Sequence, residues 1–155
     1  MSQKVEPSIV EASTASRAKS RPRTRSSARA AGARFERAVA DWLAAHVSEW
    51  IDRRVKTGVR DCGDLANVRV HGGRRVAVEL KDYGGRFLVA EWLAEAERER
   101  VNDGAVAGVV VAKRRGVSDP AAQVVFMTVA DFAALLTGHD VRDAAGLLAT
   151  ERNNG

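Results

Sequence analysis

Residues 61–81 read DCGDLANVRVHGGRRVAVELK, and the fold depends on how this stretch is laid out. Residues 65–70 and 75–80 are β-rich runs on either side of His71-Gly72-Gly73-Arg74, and adjacent glycines between such runs signal a hairpin. With the turn on Gly72-Gly73, residues whose numbers sum to 145 oppose one another, so Asp64 faces Lys81 and Ala66 faces Glu79. Asp64, Glu79 and Lys81 then share one face of the pair, with opposed Cβ atoms about 5 Å apart and diagonal ones roughly 7 Å. The same register sends Leu65, Val76, Val78 and Leu80 to the other face and into a core. A one-residue slip would bury Asp64 and Lys81 without partners, so the apolar pattern itself argues for this register.

Upstream, Phe35, Val39, Trp42, Leu43 and Val47 fall at i, i+4, i+7, i+8 and i+12, the stripe of an amphipathic helix over residues 32–47. Residues 50–56 alternate weakly as a strand that Gly58 ends. Downstream, Gly84-Gly85 breaks the chain, and residues 87–101 predict a second helix with Val89, Trp92, Leu93, Ala96 and Val101 inward and Glu95, Arg98 and Glu99 on a charged face. Residues 106–113 and 123–128 predict two further strands. Val109-Val110-Val111 is consecutively apolar, as expected of a central strand covered on both faces. Thr128 with Asp131 reads as an N-cap and acidic first turn, opening a helix over Phe132, Leu135 and Leu136 that stops at Gly138. A last, weakly anchored helix is expected over residues 141–152. The element order is α-β-β-β-α-β-β-α, a small α/β sandwich with no internal repeat.

The chain has 155 residues, 45% of them hydrophobic, which suits one domain with a real core and excludes a fibre or a wholly disordered protein. Cys62 is the only cysteine, so an intramolecular disulfide and a cysteine-based zinc cluster are excluded, and a reducing cytoplasmic location is expected. The apolar runs near residues 106–112 and 123–130 fall far short of the roughly 20 residues a membrane span needs, so no membrane partner is expected. No apolar stretch follows the basic start, and no secretory signal is expected. The net charge of +5 and pI near 10.0 point to an anionic partner. Eight of the 25 basic residues but only two of the 20 acidic ones precede Phe35, which leaves the remainder nearly neutral. Residues 1–31 are therefore expected to be a disordered basic tail suited to phosphate backbones, with a plain solubility leader as the alternative. The domain follows over residues 32–138, and residues 139–155 form a C-terminal helix and tail.

Asp64 and Glu79 can converge on one ion with the Lys81 ammonium beside them. Oxygen ligands without sulfur or a histidine pair suit Mg²⁺ or Mn²⁺. Such an ion lowers the pKa of bound water and neutralises charge on a scissile phosphate, while a nearby lysine orients the attacking water, so the implied chemistry is phosphodiester hydrolysis. The plainer alternative on spacing alone is a surface hairpin with a cross-strand ion pair.

Asp64, then Glu79-Leu80-Lys81 at the end of the next strand, after a helix bearing Glu36 and before a helix and two strands, resembles the PD-(D/E)xK nuclease core. The chain is similar in particular to the small phage and actinobacterial Holliday junction resolvase-like proteins, relatives of the archaeal resolvases. The shared marks are Gly32-Ala33-Arg34-Phe35-Glu36, Arg53-Arg54, Asp61-Cys62-Gly63-Asp64-Leu65, Val78-Glu79-Leu80-Lys81 and residues 108–114, GVVVAKR. The resemblance covers residues 32–136 and implies a three-layer, restriction-endonuclease-like α/β core around a mixed central sheet. It implies Asp64, Glu79 and the Leu80 carbonyl as metal ligands, Lys81 as the catalytic lysine, and Glu36 as a helix carboxylate reaching Mg²⁺ (or Mn²⁺) through water. It further implies a metal-dependent DNA endonuclease, a homodimeric Holliday junction resolvase acting on branched, four-way DNA. Gly63 stands where the superfamily's name has proline. The alternatives are a nuclease for another DNA structure and a non-catalytic nucleic-acid-binding module.

Arg53, Arg54, Lys56 and Arg60 form a basic run beside the expected site and read as phosphate contacts. Lys113, Arg114 and Arg115 follow the central strand and read equally as phosphate contacts or a solvated cluster. Asp61 reads equally as a further carboxylate or a turn former. Glu91 and Glu95 are expected on the helix surface rather than at the metal. His46, His71 and His139 are scattered without ligand spacing, and Tyr83 either touches DNA or closes the strand.

Overall fold

The computed structural model describes residues 24–55 and 60–143. In order these form α1 (Arg25–His46), β1 (Asp52–Arg53), β2 (Leu65–Ala66), β3 (Val76–Lys81), α2 (Val89–Asp103), β4 (Ala107–Ala112), a 3-10 turn (Pro120–Ala122), β5 (Val124–Phe126) and α3 (Val129–Thr137). The α-β-β-β-α-β-β-α order expected from periodicity is the order observed. β3 and β4 are parallel, β4 and β5 antiparallel, giving a mixed three-stranded sheet with β4 at its centre. β1 and β2 form a separate antiparallel pair.

The sheet lies between helices. On one face Val76, Val78, Leu80, Val109 and Val111 pack with Phe35, Val39 and Ala40 of α1 and Ala134 of α3. On the other, Val110 and Ala112 meet Trp92 and Ala96 of α2. All six residues of β4 are buried, which explains why its valines run consecutively. Trp92 is the largest fully buried side chain, and its truncation to alanine would cost about 3 to 5 kcal/mol. α2 crosses β4 closely at Gly108, where a Cβ would lie 2.6 Å from the Ala96 carbonyl oxygen. Only glycine fits there.

Three expectations are corrected. The tail was expected to reach residue 31, yet α1 begins at Arg25, with the Thr24 hydroxyl accepting from the Ser27 N–H at 3.2 Å. A capping threonine followed by Ala28, Ala30, Ala31 and Ala33 provides strong local helix preference without large apolar side chains. Residues 1–23 lie outside the described residues, as do Lys56 and most of the expected last helix. Second, α2 exposes Val89 and Val101, while Glu99 and Asp103 join Trp92 and Ala96 on the buried stripe. Third, the strand expected over residues 65–70 is only Leu65–Ala66 and pairs with β1 rather than with β3. In α3 Phe132 and Leu136 face outward, and the Thr128–Asp131 capping box and the left-handed Gly138 close the helix as expected.

Candidate active site

The hairpin expected over residues 61–81 forms only in part: its arms meet through an isolated Arg69–Arg75 bridge and a few backbone hydrogen bonds, in a different register from the one its glycines suggest. Its turn has three residues, with the Val70 N–H donating to the Arg74 carbonyl and Arg69 bridging Arg75. Asn67 then takes a left-handed conformation, φ 63°, which shifts the arm again. Asp64 consequently lies beside Val78 and Leu80 and not opposite Lys81, its N–H donating to the Val78 carbonyl at 2.8 Å. The Leu80 N–H donates to Asp64 Oδ2 at 3.0 Å, so the carboxylate is held against the strand edge. Because a strand residue directs its N–H and C=O to the same side, the Leu80 carbonyl shares that edge with Asp64. Gly63 makes the approach possible: its φ is +89°, and a Cβ would stand 2.8 Å from the Val78 oxygen.

Alternation along β3 places Val76, Val78 and Leu80 in the core beneath α1, as expected, and sends Glu79 and Lys81 to the α2 side. That side is covered. Glu79 and Asp64 are each 8% exposed, and Glu99, reaching down from α2, is 6% exposed. Lys81 Nζ lies 2.8 Å from Glu79 Oε1 and also pairs with Glu95, so the ammonium is clasped between strand and helix. Asp61, Glu79, Lys81, Glu95, Glu99 and Asn102 line a cleft of about 240 Å³ with Arg98 at its edge. The Asn102 amide donates to the Asp61 carbonyl at 2.8 Å and ties the loop before Asp64 to α2.

The electrostatics of this cleft are those of too many carboxylates in too little water. Burial and then the neighbouring Asp64 carboxylate push Glu79 up to about 8, against the opposing hydrogen bond from Lys81. Burial, then Asp61 and Asp64, push Glu99 up to about 7. Lys81 loses by burial but gains more from Glu79 and Glu95, and its ammonium is held above the ordinary lysine range. Glu79 Oε2 and Glu99 Oε2 are buried away from every donor, and the two acids contact each other through a side-chain hydrogen bond. Two buried acids in contact need either a shared proton or a cation between them, and an all-oxygen donor set suits Mg²⁺ or Mn²⁺. Among the described residues no group of three or more histidine, cysteine or acidic side chains is arranged as a ready-made cation cage. A site for Mg²⁺ does not require one, because that ion keeps several of its waters and takes only one or two carboxylates.

The structure brings Asp64, Glu79 and Lys81 together and sets Glu36 elsewhere. Neither Glu36 nor Asp64 lines the cleft itself: Glu36 accepts from Arg53 Nε at 2.9 Å, whereas Asp64 sits at the adjoining β3 edge, bonded to the Leu80 N–H and close enough to Glu79 to raise it. Arg54 donates to Asp103 Oδ1 at 3.1 Å and to the Leu65 carbonyl at 3.3 Å, binding β1 to α2. Two members of the expected basic run therefore serve the fold through ion pairs, while Arg60 is exposed. Lys113 sits over the Phe35 ring at 5.6 Å, and the Arg114 guanidinium donates to the Ala122 carbonyl at 3.0 Å. The surface role expected for Glu95 is corrected by its pairing with Lys81; Glu91 is exposed as expected. Glu99 was missed altogether. The signal was its spacing, because Trp92, Ala96, Glu99 and Asp103 fall at i, i+4, i+7 and i+11 on one stripe.

No family model matches the chain, and neither a curated protein nor a solved structure matches it.

Proposed function

We propose that the protein is a metal-dependent DNA endonuclease of the PD-(D/E)xK kind that hydrolyses phosphodiester bonds, and that its substrate is branched DNA, cut by a homodimer in the manner of a Holliday junction resolvase. The observation that carries the reading is the burial of Glu79 and Glu99 against each other, next to Asp64 and a clasped lysine at a strand edge. Asp64, Glu79 and the Leu80 carbonyl would hold Mg²⁺ or Mn²⁺, which when bound supplies charge neutralisation at the scissile phosphate and a more acidic water. Lys81, held in place by Glu79 and Glu95, orients the attacking water and faces the charge that develops on the phosphate. Glu36, paired with Arg53, acts by fixing β1 against α1.

A homodimer finds support in α3, whose outward stripe of Val129, Phe132 and Leu136 is apolar and 85%, 53% and 72% exposed. A non-catalytic module is the weaker reading. A purely structural ion pair would account for the Lys81 clasp, but not for burying Glu79 and Glu99 against each other beside Asp64, where burial and carboxylate repulsion raise both. The test is incubation of labelled four-way junction, linear duplex, fork and single strand with the protein in Mg²⁺ and in chelator. Junction cleavage in Mg²⁺ alone supports the reading; no cleavage of any DNA in Mg²⁺ or Mn²⁺ would sink it.

A further inference from the structure

Where the substrate lies is set by which cations are left over once the fold has used its own. Arg37, Arg53, Arg54, Arg75, Arg100 and Arg142 are each bound to a carboxylate. The exposed Arg86, Arg98, Arg114 and Arg115 pair with no acid among the described residues, and neither do Arg34, Arg60, Arg69 and Arg74; Arg98 and Arg114 donate to main-chain carbonyls, and what sets the first four apart is position. Their positions in the fold are connected. β3 and β4 run parallel and end side by side, Lys81 paired with Ala112, so the loops that follow them rise from the same end of the sheet.

The two loops touch. Gly85 packs so closely on Arg115 that a Cβ at Gly85 would lie 2.5 Å from the Arg115 Cβ, and the Lys113 N–H donates to the Lys81 carbonyl at 2.9 Å. Arg98 reaches the same region from α2, at the edge of the cleft that holds Lys81. Tyr83, in the loop that follows β3, is 42% exposed, its ring set edge-on against Trp92 with centroids 5.3 Å apart. From the other face of the sheet, Phe35 in the middle of α1 lies beneath Lys113.

We propose that this rim, Arg86, Arg98, Arg114 and Arg115 around Tyr83, is the surface that carries the DNA backbone past the cleft, in place of the run at residues 53–60. The inference rests on the nuclease reading for the identity of its polyanion, but its geometry does not. Charge complementarity supports it, because a track of unpaired guanidinium groups beside a site for a scissile phosphate matches a chain of evenly spaced phosphates. Tyr83 offers an aromatic edge and hydroxyl to a sugar or an unstacked base, which suits a strand distorted at a branch point.

The test compares Arg86→Gln/Arg115→Gln with Arg60→Gln in the full chain. Binding to a synthetic four-way junction is measured in Ca²⁺ over a range of salt, with circular dichroism to confirm folding. Each phosphate contact adds about 0.9 to the slope of log affinity against log salt. The double variant should lose roughly 1.8 of slope and at least about tenfold in affinity at low salt, with Arg60→Gln unchanged. An unchanged slope in the double variant, or an equal loss in Arg60→Gln, would overturn the rim; a matched RNA duplex bound more tightly than DNA would overturn the choice of partner. If the double variant binds as wild type while wild type still cuts DNA in Mg²⁺, the rim fails and the nuclease stands. If it loses binding as expected while wild type cuts nothing, the rim stands and the nuclease fails.

Discussion

Replacing Glu79 with glutamine should stabilise the cation-free protein at high pH and leave it almost unchanged at low pH. Burial and Asp64 raise Glu79 from 4.5 to about 8. The folded state thus holds this proton more tightly than the unfolded chain, so stability is full below about pH 4.5 and is lost as pH rises through about 8. At about 1.4 kcal/mol per unit, complete ionisation costs the fold up to about 5 kcal/mol, with the favourable bond to Lys81 already inside that figure. Glutamine resembles the protonated acid in shape and charge. Because Glu99 titrates with Glu79 as a pair, the difference between Glu79→Gln and wild type should grow from near zero at about pH 4 to about 2 to 5 kcal/mol at about pH 9. The assay is urea unfolding in chelator, followed by circular dichroism at both pH values. Added Mg²⁺ should restore wild type at pH 9, by about 2.7 kcal/mol at a hundred times its dissociation constant, and should do nothing for Glu79→Gln. An effect of equal size at both pH values, or destabilisation at pH 9, would refute the claim that a buried charge is the cost.

Gly63→Ala should cost at least about 1 to 3 kcal/mol, read from urea midpoints, since it combines a positive φ with a contact against the Val78 oxygen. It should also depress cleavage by moving Asp64. Phe132→Asp with Leu136→Arg should leave folding intact and convert a dimer to a monomer by light scattering, because both side chains are solvent-facing in one copy; a dimer that persists would place the contact elsewhere. Removal of residues 1–23, which carry Lys4, Arg17, Lys19, Arg21 and Arg23, should flatten the salt dependence of binding to every DNA shape without moving the cleaved positions.

What was legible in the sequence was what local periodicity determines. The valine run of β4, the alternating core residues of β3, the cap at Thr128 and the stop at Gly138 each depend on neighbours within a few positions, and each stands where expected. The meeting of Asp64 with Glu79 was legible too, though for an incomplete reason. Asn67 in a left-handed conformation and a three-residue turn altered the register, yet Gly63 still let Asp64 close on the strand. Charges were misread wherever burial came from a distant element. Glu99 is an acid on a helix face and looks solvated until α2 is laid on β3, and Arg54 looks free until Asp103 comes to meet it across the fold. Sequence spacing cannot weigh such pairs, because the partner is supplied by tertiary packing.

The most direct test of the central claim is single-turnover cleavage of a four-way junction in Mg²⁺ by wild type, Asp64→Ala and Lys81→Ala, with binding in Ca²⁺ measured alongside. Asp64 is assigned to the metal ion and Lys81 to the attacking water and the phosphate, and neither to affinity, so each variant should bind the junction as wild type does and cut it slower by roughly 10²-fold or more. Folded variants that cut as fast as wild type would contradict the assignment of the cleft as the active site.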